Sequence, residues 1–160
     1  MLIPFDSLPE DARIWIYPSN RKLADHEIAE INTELTAFIS NWSAHSNPLT
    51  ASYTIMHDRF IILAVNQENQ AVTGCSIDAS VACIQQLEQR FQIDLLDKMN
   101  VTFRQGEYIT HKSLLEFKKM VKEKSVSANT IVFNNLVNTI EEWKACWEVP
   151  ASESWHSRFF

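Results

Sequence analysis

Phe60-Ile61-Ile62-Leu63-Ala64-Val65 is apolar at every position. A strand points successive side chains to opposite faces, so such a run must be covered on both. That requirement predicts a sheet held between two layers. Just upstream, Tyr53, Ile55 and His57 alternate with Ser52, Thr54 and Met56. This is the period of a second strand over 50–57, and His57-Asp58-Arg59 is short enough to join the two as a hairpin.

Working outward, Ile14-Trp15-Ile16-Tyr17 is β-branched and aromatic and predicts a strand, ended by Pro18-Ser19-Asn20. After Asp25, a good N-cap, Ile28, Ile31, Leu35, Phe38, Ile39 and Trp42 form one helical stripe. Downstream, Asn66 to Gln70 is a polar loop. Val81, Ile84, Leu87 and Phe91 then restore the helical period, with Asp78 or Ser76 as the expected cap. Val101-Thr102-Phe103-Arg104 predicts a short strand that stops at Gln105-Gly106.

The order is β-α-β-β-α-β. It predicts an α+β protein with a ferredoxin-like core, an antiparallel sheet and both helices on one face. Two further helices are expected to cover the other face. One starts at the capping box Ser113 to Glu116 and runs to about Glu123. The other spans about 128–147, with Val132, Leu136, Val137, Ile140, Trp143 and Trp147 as its stripe. The reading is therefore one domain over 1–160. It has an irregular lead-in at 1–12, a βαββαβ core at 13–104, two added helices within 107–147 and an aromatic tail at 148–160.

Composition narrows function mainly by exclusion. A chain of 160 residues, 46% hydrophobic, can bury a core without staples. Three cysteines with no C-x-x-C pair suit free thiols in a reducing compartment, and cytoplasm is the expected location. The N-terminus has no basic leader, and the 60–65 run is far too short for a membrane span, so no membrane partner is expected. A net charge of −6 disfavours non-specific nucleic-acid binding. His26, His45, His57, His111 and His156 show no metal-ligand spacing, so no metal and no cofactor is expected. Gly74 and Gly106 are the chain's two glycines, too few and too far apart for a phosphate-binding P-loop.

Three candidate sites remain. The first is Thr73 to Ser80, where the strand-like pattern gives way to the helical one. Gly74 there permits a positive φ, and the helix start offers free N–H groups to an anion. Cys75 or Ser76 could serve as a nucleophile near Asp78, with His57 as base if the fold brings it close. The plainer reading is a capped turn, with Ser76 and Asp78 as caps and Cys75 packed as a small apolar residue. The second site is basic: 104–124 carries six Lys/Arg against three Glu, net +3, while the rest of the chain is −9. That stretch could face RNA or an acidic partner, or be a solvated helix face. The third is the tail, where Trp155, His156, Arg158, Phe159 and Phe160 form either a latch onto the body or a surface for a protein partner or self-association.

Four runs carry a resemblance. Ile14 to Pro18, Gly74-Cys75-Ser76-Ile77-Asp78, Gln92-Ile93-Asp94-Leu95-Leu96-Asp97 and Ser154-Trp155-His156-Ser157-Arg158-Phe159 resemble a small family of uncharacterised bacterial proteins often labelled "ABC transporter ATPase". The resemblance implies no catalytic residues. The expected function is non-catalytic binding of a protein partner or small ligand, with Gly74, Cys75, Ser76, Trp155, His156 and Arg158 as contact residues. The alternatives are a small enzyme using Cys75, and RNA binding through 104–124.

Overall fold

The computed structural model describes residues 1–160. Its organising strand is β5 (Phe60–Asn66), paired antiparallel on one side with β1 (Arg13–Pro18) and on the other with β4 (Thr50–Met56). Leu63 lies opposite Trp15 in β1 and opposite Tyr53 in β4. The hairpin between β4 and β5 turns with His57 and Asp58 both at positive φ, 54° and 55°, and Arg59 N–H donates to Met56 O at 3.0 Å.

Both faces of β5 are buried, as its composition requires. Ile61, Leu63 and Val65 join Tyr17 and Ala51 in a cluster with Ile31, Leu35 and Ile39 of α1 (Asp25–Ser40). Ile84, Leu87 and Phe91 of α2 (Gly74–Phe91) complete that layer. Phe60, Ile62 and Ala64 face the opposite way, with Ile14 and Ile16, and meet Leu8, Ala12, Phe133, Val137, Ile140 and Trp147.

This second cover differs from the expected pair of long helices. Residues 128–139 are not helical: β8 (Ile131–Phe133) is a strand, and α4 is confined to Ile140–Cys146, with Thr139 as its N-cap. The physical reason is local. Thr130-Ile131-Val132 is β-branched, and Asn134 accepts Leu136 N–H on Oδ1 at 3.1 Å, an Asx turn that competes with helix. The other expected helix, α3 (Leu114–Lys122), exists with its capping box but does not cover this sheet. Its Phe117 packs with Val101, Phe103 and Val132 in a third cluster.

The fourth core strand also goes elsewhere. β6 (Asn100–Gln105) does not pair with β1. It forms a hairpin with β7 (Tyr108–Ser113), turning at Gly106 with φ +62°, and pairs with β8 on its other side. β9 (Glu148–Pro150) completes this second antiparallel sheet, in the order β7-β6-β8-β9. The edge of β1 is already occupied. Ile14 N–H donates to Asn138 O at 2.9 Å, Ile140 N–H donates to Ala12 O at 3.1 Å, and Arg13 bridges Thr139. A short ribbon, β2 (Ser43–Ala44) with β3 (Asn47–Pro48), follows α1.

Ion pairs tie α1 to α2: Arg90 of α2 donates to Glu34 and Glu30 of α1, at 2.6 and 3.0 Å, and Arg21 bridges the two helices from the segment before α1. Arg21 donates to both oxygens of Glu27, at 2.8 and 2.7 Å, and to Phe91 O at the end of α2, at 2.8 Å. Glu27 Oε1 also accepts Ala24 N–H at 2.8 Å. The Arg21 hydrogen bonds, then the Ala24 amide, hold this carboxyl down at about 2, against an ordinary 4.5. A depressed carboxylate contributes stability that is present above its unfolded value and lost as pH falls through the folded one. Arg21 is 41% exposed, so solvent screening trims the gain. Glu27→Gln is expected to cost about 1–2 kcal/mol at pH 7. In urea titrations the gap from wild type should close between pH 4.5 and about 2. A gap independent of pH would refute the ionic origin.

Candidate functional site

The strand-to-helix junction is a capped turn. Thr73, not Asp78 or Ser76, is the N-cap of α2: its Oγ1 accepts Ser76 N–H at 3.2 Å. Ser76 Oγ in return accepts Thr73 N–H at 2.6 Å and donates to Thr73 O at 2.9 Å. Ser76 is 2% exposed, and its hydroxyl is spent inside the cap. Gly74 has no positive φ, and a Cβ added there would meet nothing within 4 Å. The backbone therefore does not require glycine at this position. Asp78 is exposed in the first turns of the helix.

Cys75 is exposed and is not packed as an apolar residue. It lines a shallow groove with Phe38, Trp42, His45 and Thr73. His57 is not there. It stacks on Trp147 at 5.8 Å and 19°, and its Nε2 lies 3.7 Å from Glu148 Oε1, on the side of the sheet buried by Phe60 and Phe133. Glu148 is shared with Arg104, which donates to it at 3.2 and 3.0 Å. The four candidates for catalysis therefore do not converge: Cys75, Ser76 and Asp78 share one helix end, and His57 serves another surface.

The tail residues do converge. The chain folds back as a 3-10 turn over Trp155–Phe159. Phe159 and Phe160 meet Phe117 of α3 edge-on, at 5.9 and 6.2 Å. His156 is fully buried, stacks on Trp155 at 3.9 Å, and holds Nδ1 2.7 Å from Ser154 Oγ. Burial, then the Arg158 charge, pushes its imidazole down to about 4, so it is neutral at pH 7. His156 Nε2 and Trp155 Nε1 are both buried without a protein partner.

Both residues line a cavity between the two sheets, with about 30 Å³ of space for water-sized spheres. β1 supplies Ile16 and Tyr17, β6 supplies Asn100 and Thr102, and Asn135 follows β8. Thr102 Oγ1 is 3.2 Å from His111 Nδ1, and Asn100 Nδ2 donates to Asp97 O at 2.7 Å. The loop bearing Asp97 and Lys98 is anchored upstream, where Glu88 Oε2 accepts Leu95 and Leu96 N–H at 2.7 and 3.0 Å. The site thus has an apolar floor, convergent polar groups and one imidazole displaced from its usual range, but its space is that of about one or two water molecules, well below an ordinary ligand pocket.

Sequence reasoning singled out Trp155 and His156 but missed Asn100, Thr102 and Asn135. Asn100 and Thr102 lie on β6 and Asn135 in the turn after β8, and they meet the tail only through the second sheet. No group of three or more His, Cys, Asp or Glu is placed to hold a metal ion, and no helix is long and apolar enough to cross a membrane. No protein-family model, curated protein or solved structure matches this chain.

Proposed function

We propose that this protein is a non-catalytic binding domain that holds a small polar ligand, or the polar end of a longer one, in the cavity between its sheets. The observation that carries the reading is the pair of buried, unpartnered nitrogens on Trp155 and His156 beside that cavity. An unpaired buried polar group costs about 1–3 kcal/mol, which a bound acceptor would recover. Indole Nε1 only donates, so the ligand must offer an oxygen or nitrogen acceptor. With room for about one or two water-sized groups, the cavity admits the polar end of a ligand whose remainder stays outside.

The enzyme alternative through Cys75 loses His57 as its base; His45 lines the same groove but makes no hydrogen bond to Cys75. Exposed Cys75 and Cys146 thiols support a cytoplasmic, reducing location. The leading β1-α1-β4-β5-α2 order and the sheet order β1-β5-β4 support a ferredoxin-like core that lacks its last strand, β6 belonging to the second sheet. The resemblance to the "ABC transporter ATPase"-labelled family supplies no activity.

The test is a panel of small carboxylic acids, amides and alcohols, followed by the indole proton of Trp155 in NMR spectra and by thermal unfolding. A binder at one hundred times its Kd should add about 2.7 kcal/mol to stability. Trp155→Phe should remove most of that gain. If the Trp155 indole signal moves for no member of the panel, the reading fails.

A further inference from the structure

The two flanks of α3 differ in how their charges are compensated. On one flank Lys112, at the end of β7, lies 3.8 Å from Glu116; Lys119, which lines the grooves on both flanks, lies 3.9 Å from Glu123. On the other, Lys118, Lys122 and Arg158 have no carboxylate within salt-bridge distance. These three cations, with Lys119 beside them, rim an open groove between α3 and the C-terminal 3-10 turn, whose apolar lining includes Leu115 and Phe159. Leu115 is 79% exposed. Met99, 66% exposed, sits at the same end of α3, where its carbonyl accepts Leu114 N–H at 3.1 Å. Uncompensated positive charge around exposed aliphatic side chains is unexpected in a chain of net charge −6.

We infer that this groove docks an acidic, amphipathic peptide segment of a partner protein, its carboxylates meeting Lys118, Lys122 and Arg158 and an apolar side chain seated on Leu115. Charge complementarity selects the acid, and the exposed leucine selects the apolar anchor. Single-stranded RNA fits less well, because base recognition there depends on free aromatic faces. The one ring in the groove, Phe159, already packs edge-on to Phe117, with Lys118 Nζ 5.7 Å from its centroid. The inference stands on a different surface from the inter-sheet cavity and does not require that cavity to bind anything.

The experiment is fluorescence anisotropy of a labelled synthetic helix-forming peptide with Asp and Glu interleaved with Leu and Phe, against the intact protein. Polyglutamate, a single-stranded RNA oligomer and phosphatidylserine vesicles are run in parallel, and sedimentation tests for a second copy of the chain. Binding of the peptide should weaken steeply with salt and exceed that of polyglutamate. The double variant Lys118→Glu/Lys122→Glu should lose about tenfold or more in affinity, and Leu115→Ala about fivefold. Lys112→Glu, on the compensated flank, should change little. Because all four side chains lie at the surface, unchanged thermal unfolding will certify each variant. Peptide affinity no better than polyglutamate, insensitivity to the double charge reversal, tighter binding of RNA or vesicles, or self-association through this face would each overturn the inference.

Discussion

Replacing Phe60 by alanine is expected to lower the unfolding free energy by about 3–5 kcal/mol, the range for deleting a buried phenyl ring. Phe60 has no exposed surface. Its ring lies 4.8 Å from Phe133, 4.9 Å from Trp147 and 6.2 Å from His57. Such pairs add about 0.5–1.5 kcal/mol each beyond area burial. The position matters because it is where the C-terminal half docks onto the first sheet. Phe133 belongs to β8 and Trp147 follows α4, so a cavity here loosens two elements at once. Phe60→Leu, which keeps most of the volume, should cost only about 1.5 kcal/mol. Urea unfolding measures both. Hydrogen exchange should show the larger loss of protection at Asn134, whose N–H donates to Trp147 O, and at Ile140. A cost below about 1 kcal/mol for the alanine variant would mean that this face is not packed as described.

The two-faced burial of residues 60–65 was legible because it follows from composition and strand geometry alone. The stripes of α1 and α2 were legible for the same reason: Ile31, Leu35 and Ile39, then Ile84, Leu87 and Phe91, carry a period that no strand could bury. Pairing was not legible. Whether Val101 to Arg104 joins β1 or another sheet depends on what else competes for the β1 edge, and the competitor, residues 138–140, lies far along the chain. The 128–147 stripe misleads for a different reason. Ile140 does lie on a buried helical face, but Val132 is in a strand, and Leu136, which fits the period, is 53% exposed. Four asparagines, 129, 134, 135 and 138, lie in that stretch and outweigh the apolar spacing. β7 carried its own signal in Tyr108-Ile109-Thr110, one residue beyond the glycine of a hairpin turn.

At the site, residue chemistry was easier to read than placement. Gly74 attracted notice because glycine is scarce, yet its conformation is ordinary helix. His57 attracted notice as a base, yet stacking on Trp147 explains it. Trp155 and His156 were visible as an aromatic-polar pair, but only the second sheet turns them toward Asn100, Thr102 and Asn135. A non-local assembly of this kind leaves no local spacing to detect.

Deleting residues 155–160 is expected to cost more than about 3 kcal/mol, because it removes structure rather than a free end. Phe117, which has no exposed surface, would lose the rings of Phe159 and Phe160, and the inter-sheet cavity would lose its wall of Trp155 and His156. The loss also has a pH signature. Because burial holds the folded imidazole of His156 at about 4, below its ordinary 6.5, the unfolded chain takes up the proton first. Wild-type stability should therefore decline as pH falls from 6.5 to 4, and be unaffected by this group above that window. His156→Gln, which keeps a polar side chain and the rest of the tail, should flatten that limb even if the truncated chain proves too unstable to purify. Separating the two variants distinguishes the roles. A truncation with an unchanged unfolding midpoint would show that the tail is not a latch. An unaltered decline between pH 6.5 and 4 in His156→Gln would place the responsible proton elsewhere, with His111, whose imidazole burial also lowers, as the next group to replace.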